Sequence, residues 1–438
     1  MYNCDIRSYG AVGDGVTMDT AAIQAAIDAC GQAGGGRVTL EAGRFLCGRI
    51  DLRSGVELHL ERDAVLLGSA DGNDFPEIET DFWRTEYAPR FNKRCMIYAE
   101  GCEDVAVTGR GAIDCQGEAY IEPKPPEQRW QGTWPYVRRP HPVEPGGDGM
   151  VHLPWVPHPL TPRQVSLSPA RVVLFMGCRN VLVEDVTLRN QPAGWGYWVC
   201  DCEDVHFHRA RIRASVEYPN NDGIHINCSR NVTVSDCNIT CGDDGIVVRA
   251  YSLPLRHNAP CEKVAVTNCN ITSHSAGVRV GWYGDGVIRN CVFSNLNITD
   301  SVCGVDIRLP KTNPEFRGSD QGEEETLIEN LSFSNIVFDR GYAEPVYLYI
   351  GEGALCRGVR SLYFSGIRSF SLHMPAVIGR EDLHAQNIYF TDCQFRQIRR
   401  SDIPDGIRGP RIPREDTLRP CFKCVDNLVL QDCVFEVL

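Results

Sequence analysis

The stretch CSRNVTVSDCNIT, residues 228–240, returns as CEKVAVTNCNIT at residues 261–272. In each, Val alternates with a smaller or polar residue, at Val232-Thr233-Val234 and again at Val264-Ala265-Val266. The run then closes on Asp or Asn, Cys and Asn-Ile-Thr. Alternation of that kind sends one set of side chains to one face of a strand, and the Asn or Asp supplies turn chemistry. Looser copies lie on both sides: GCEDVAVTG from Gly101, GCRNVLVEDVTLRN from Gly177 and DCEDVHFHRARI from Asp201 precede the pair. IENLSFSNIVF from Ile328, AQNIYFTDCQF from Ala385 and VDNLVLQDCVF from Val425 follow it. In the best-preserved part the spacing is in the twenties to low thirties, and helical periodicity is scarce. The Leu spacing of a leucine-rich repeat is absent, and the units are too short for propeller blades. Units holding several short strands each predict an all-β solenoid, a parallel β-helix whose coils stack about 4.8 Å apart. The reading is of one domain over residues 1–438.

Outward from this core, the N-terminal segment differs. MDTAAIQAAIDACGQAG, from Met18, spaces Ile23, Ala26 and Ile27 helically, with Gly31 and Gly34 as stop signals. A short amphipathic helix is expected there, capping the solenoid's open edge. Two stretches interrupt the repeat. Residues 117–165 are rich in Pro, Trp, Tyr and Arg, and residues 310–325 are polar and acidic. Both read as loops projecting from the coils, the first as a wall over a cleft.

A second alignment brings the chemistry together. Five segments share a block x-Gly-x-x-Val/Ile: they begin at Trp195, Asp222, Asp244, Ala276 and Cys303. Strand alternation points one ladder outward, Trp198, His225, Val247, Arg279 and Asp306, and beyond it Cys200, Asn227, Arg249, Gly281 and Arg308. Just before the strands, Asp222 and Asp244 are equivalent on neighbouring coils, with Asn221 and Asp243 beside them. Three carboxylates that close raise at least one pKa, while nearby arginines hold others ionised, which equips one site with both a general acid and a general base. Three carboxylates could also hold Ca²⁺, and Asp-Gly corners also serve turns alone.

Asn220-Asn-Asp-Gly223 followed by Gly242-Asp-Asp-Gly245 resembles the signature of glycoside hydrolase family 28, the polygalacturonases and their relatives. The opening YGAVGDGVTMDTAAIQAAIDAC and the segment GGRVTLEAGRFLCGRIDLRSGVELHLE fit as well. The resemblance implies a right-handed parallel β-helix that cleaves an α-glycosidic bond of a pectin-derived or other uronate-containing glycan with inversion. It implies Asp243 as the acid, with Asp222 and Asp244 holding the attacking water. Two motifs depart from the family. Its Gly-His-Gly reads Ser275-Ala276-Gly277, leaving His274 and His225 as the nearby histidines, and its Arg-x-Lys reads Asp306-Ile307-Arg308. Candidate substrate contacts are therefore Trp198, Asn221, His225, Arg249, His274, Arg279, Asp306 and Arg308, with no cofactor and no metal. Exo action would follow if the aromatic insertion closed one end of the cleft. A non-catalytic glycan-binding solenoid and a lyase or epimerase of the same fold remain as alternatives.

The bulk numbers limit the partners. A net charge of −13 with no basic stripe excludes a nucleic-acid partner, and no apolar run is long enough to span a bilayer. The chain begins with no secretory pattern, so a cytoplasmic location is expected, with the 21 cysteines as buried reduced thiols. Cys421 and Cys424 have CxxC spacing, but no second pair lies near to complete a zinc site.

Overall fold

The structure, a computed structural model, describes residues 2–89, 92–125, 134–138, 141–142, 164–165, 168–311, 321–403 and 418–438. Its strands stack as a right-handed parallel β-helix. One coil consists of Ile224–Asn227, Arg230–Ser235 and Asn238–Cys241, and the next of Ile246–Arg249, Cys261–Thr267 and Asn270–Ser273. Ile224 pairs with Ile246, Val232 with Val264 and Ile239 with Ile271, all in parallel register. The first strand of each coil contributes to one parallel sheet, eleven-stranded among the described residues, running from Ile50–Asp51 to Cys421–Lys423.

The recurring Asp or Asn before Cys has a backbone reason. Asp236, Asn268, Asp392 and Asp432 stand at φ of 57°, 55°, 50° and 53°, in the left-handed region where Asn and Asp are tolerated best. The cysteine that follows turns inward: the Cys237 and Cys269 thiols lie 4.0 and 3.9 Å from the carbonyls of Phe207 and Val234 one coil away. None of the 21 cysteines is in a disulfide, and most are buried. Phe293, Phe333, Phe364 and Phe390 stack ring on ring through four coils at 4.8, 5.0 and 4.7 Å. Equivalent residues are thus each other's packing partners, as the repeat requires. The helix Thr20–Gln32 buries Ile23, Ala26, Ile27 and Cys30 against the first coils. No helix among the described residues is long and apolar enough to cross a membrane.

Of the insertion at 117–165, residues 126–133, 139–140 and 143–163 lie outside the described residues. What is described includes a small antiparallel ladder pairing Ile121–Pro123 with Tyr136–Arg138. Residues 312–320 of the second loop also lie outside.

The glycine of the recurring block is a packing requirement. A Cβ on Gly223 would sit 2.4 Å from the carbonyl oxygen of Gly245, and one on Gly245 would sit 2.5 Å from Ile271 Cγ2 and 2.7 Å from the Gly277 oxygen. The column of glycines lets successive coils close up beneath the aspartates. Gly245→Ala is expected to cost about 1–3 kcal/mol by overpacking, read as a lower urea midpoint with an unchanged slope.

Candidate active site

The block aligned in the sequence is a column in space. The Gly196 N–H donates to the Asp222 carbonyl, Gly223 to that of Asp244 and Gly245 to that of Ala276, at 2.8, 2.9 and 2.8 Å. Asp222 and Asp244 are therefore equivalent residues one coil step apart. The outward ladder is also in register: Trp198 pairs with His225, His225 with Val247, Val247 with Arg279 and Arg279 with Asp306.

Asp244 is gripped by an arginine from the next coil. Arg279 Nη2 donates to its Oδ1 at 3.0 Å, Arg279 Nε to its Oδ2, and the Ala276 N–H to Oδ1 at 3.0 Å. Burial alone would raise this carboxyl, but the charge and hydrogen bonds of Arg279 outweigh it and hold Asp244 below the ordinary carboxylate range. Arg279 is itself shared, lying 3.0 Å from Asp306 Oδ2, which Arg308 Nη2 approaches at 2.9 Å. The result is a buried chain of alternating charge: Asp244, Arg279, Asp306, Arg308. Asp306, expected as a substrate contact, is thus a buried bridge between two guanidiniums and not an exposed anion facing substrate. Arg308, over the Tyr347 ring at 5.1 Å, keeps a partly exposed side chain.

Asp243 is bound differently. Its Oδ2 accepts from Asn220 Nδ2 at 2.9 Å, and its carbonyl accepts from the Ser273 hydroxyl at 2.5 Å. Asn221, expected beside the aspartates, instead ties two loops: its amide donates to the Ser215 carbonyl and its Oδ1 accepts the Gly242 N–H, each at 2.7 Å. Asp222 Oδ2 lies 3.4 Å from His225 Nδ1, and the His225 ring stacks on Trp195 at 3.8 Å. His274 is buried, with its backbone N–H bonded to the Cys241 carbonyl.

Two expected contacts are spent elsewhere. Arg249 is 2% exposed and pairs with the fully buried Asp285, Nη2 to Oδ1 at 2.6 Å. Trp198, expected to offer its face to a sugar, is 0% exposed. It lies under Trp83, ring centroids 6.1 Å apart, and under the Arg171 guanidinium at 4.8 Å. Trp83 belongs to a strap that carries no mark in the sequence. The Trp83 indole donates to the Tyr98 hydroxyl at 3.0 Å, Arg171 Nη2 to the Pro89 carbonyl at 2.6 Å, the Tyr251 hydroxyl to the Tyr87 carbonyl at 2.9 Å and Arg84 N to the Pro254 carbonyl at 2.7 Å. Residues 83–89 so roof the sheet on the N-terminal side of His225. On the other side, Trp282 lies under Arg279 at 4.6 Å. Asn220 could have been suspected from Asn-Asn-Asp-Gly; Trp83, Asp285 and Trp282 carried no repeat signal. Among the described residues no group of three or more His, Cys, Asp or Glu is arranged to hold a metal ion.

Comparison with known proteins adds the following. Residues 147–346 match the sequence model of Glycosyl hydrolases family 28. A probable polygalacturonase of Vitis vinifera is 26% identical over 316 residues, covering 70% of this chain and 57% of that protein. An exo-poly-alpha-D-galacturonosidase of Dickeya chrysanthemi is 28% identical over 255 residues, covering 55% and 41%. The chain thus spans about half the length of these curated relatives. The hyperthermoactive exopolygalacturonase of Thermotoga maritima shares the fold with a TM-score of 0.65 at 20% identity, covering 98% of this chain and 92% of that one.

Proposed function

On the premise that this chain is a polygalacturonase-like protein resembling glycosyl hydrolases of family 28, we propose that it hydrolyses an α-glycosidic bond in a galacturonate-containing oligosaccharide or polysaccharide, with inversion. The observation that carries this is the unequal treatment of neighbouring carboxylates. Asp244 is held ionised by Arg279, while Asp243 has a neutral amide partner, Asn220. One column thus sets a carboxylate held ionised by an arginine beside a second carboxyl bound through an amide, two unlike environments of the kind from which acid–base glycoside hydrolysis divides its labour. Asp243 protonates the departing oxygen. Asp244 and Asp222 hold and deprotonate the water on the opposite face of the ring. His225, braced by Trp195, fixes Asp222. Arg308, the partly exposed end of the charge chain, receives the sugar carboxylate. Such a local cation offsets the repulsion that the net charge of −13 imposes on a polyanion.

The strap through Trp83 and Arg84, which crosses the sheet on the N-terminal side of His225, is the feature that favours exo action. The cytoplasm is the location we propose, on the strength of a cysteine-rich chain with no disulfide. Proton NMR of a reaction started on trigalacturonate tests the assignment. A monosaccharide, or another single product, released from one end first as its β-anomer is expected. An α-anomer, or an unsaturated product absorbing in the ultraviolet, refutes it.

A further inference from the structure

The peptide before Asp243 is clamped from outside the coil. The Trp134 indole Nε1 donates to the Gly242 carbonyl at 2.7 Å, and Trp134 is 9% exposed. The N–H of the same residue, Gly242, donates to Asn221 Oδ1 at 2.7 Å. Gly242 has no latitude of its own: a Cβ there would lie 2.3 Å from the Tyr218 carbonyl oxygen and 2.8 Å from Asn221 Oδ1. Trp134 is carried by the small ladder of the insertion, whose Tyr136 packs edge-to-face on Tyr218 at 5.3 Å. That ladder is anchored to the coils at its base, where the Gly117 N–H donates to the Asn190 carbonyl and the Tyr120 hydroxyl to the Ser69 carbonyl, at 2.7 and 2.6 Å. One insertion therefore grips both loops that bear the aspartates, residues 215–222 through Tyr218 and residues 242–244 through Gly242.

We propose that Trp134 is a positioning residue for the general acid: its indole N–H fixes the Gly242–Asp243 peptide, and through it the direction of the Asp243 carboxyl. This rests on the assignment of Asp243 as the acid. Proton transfer demands placement of the donor within hydrogen-bond reach of the leaving oxygen, so a peptide free to rotate costs rate and not affinity. An ordinary structural tryptophan would act on stability and on all substrates alike.

Trp134→Phe keeps an aromatic ring in place and removes only the donor. With trigalacturonate as substrate, kcat is expected to fall about tenfold with KM within twofold, at an unchanged circular dichroism spectrum. With 4-nitrophenyl α-galacturonide, whose leaving group needs no proton, the loss is expected to shrink to within twofold. Tyr136→Leu, which removes the second anchor on Tyr218, should give the same pattern at smaller amplitude and serves if the first variant does not fold. Equal losses on both substrates, or an unchanged kcat on trigalacturonate in either folded variant, overturn the inference while leaving the hydrolase assignment in place. No turnover by the unsubstituted protein on either substrate overturns both.

Discussion

Asp243→Asn is expected to lower kcat on trigalacturonate by about 10²–10⁴-fold, the range for loss of a positioned general acid, while the protein stays folded. The substitution removes a proton that can be transferred and changes little else. The introduced carboxamide is isosteric with the carboxyl, and it can still meet Asn220, whose Nδ2 lies 2.9 Å from Asp243 Oδ2, by turning its own carbonyl oxygen toward that amide. The Ser273 and Trp134 contacts go to the backbone of this turn and survive unchanged. Thermal unfolding should therefore shift by no more than about 3 °C. An aryl glycoside with a good leaving group should recover most of the rate, because its departure needs no protonation. Unimpaired turnover of trigalacturonate by the folded variant would remove Asp243 from the mechanism and leave the glycan-binding alternative standing.

The same column shows what the sequence could and could not tell. Its register was readable because the glycines leave no freedom: Gly223 and Gly245 each pack on the backbone of the next coil, so Asp222 and Asp244 must be equivalent. The αL positions at Asp236 and Asn268 were readable for a like reason, since few residues other than Asn, Asp and Gly tolerate them. Side-chain neighbours across the column are less legible. Coil equivalence with Asp243 points to Asn221, but Asn220 stands at φ 56°, a left-handed turn that a strand alignment does not anticipate, and it is the Asn220 amide that meets Asp243. Trp198 lies on the outward ladder, yet outward from the coil is not outward to solvent once Trp83 lies across it. Arg249 likewise points at Asp285 in the turn of the next coil. Both partners sit in connecting segments, where no repeat constrains the residue and only tertiary structure reveals it. The family's Arg-x-Lys reads Asp306-Ile307-Arg308 here, and the structure gives that departure a physical sense. The aspartate faces Arg279 from the neighbouring coil, so the charges are redistributed over two coils and not lost.

Arg279→Gln is expected to be the most damaging substitution in the chain for stability. The guanidinium lies between Asp244 and Asp306, both buried, and removing one partner of such a pair strands the other charges at a cost of about 3–5 kcal/mol. A urea midpoint at pH 7 measures it. The pH dependence identifies the cause. In the unsubstituted protein the folded pKa of Asp244 lies below its unfolded value of about 3.9. Its contribution is therefore complete above that pH and is lost as pH falls through the folded pKa. Without Arg279, burial, which by itself raises the Asp244 carboxyl, is opposed chiefly by the hydrogen bonds from Ser275 and Ala276, and the folded pKa is expected to rise above the unfolded one. Asp244 then stabilises the fold only when protonated, a contribution lost as pH rises through the new folded pKa. The deficit of Arg279→Gln should accordingly be largest near pH 7 and shrink on going to pH 4. The acid limb of kcat/KM should move in step toward higher pH, since the base is protonated sooner. A deficit that does not change between pH 7 and pH 4 would mean that Arg279 acts by packing on Trp282, and the ionised base would then need another source.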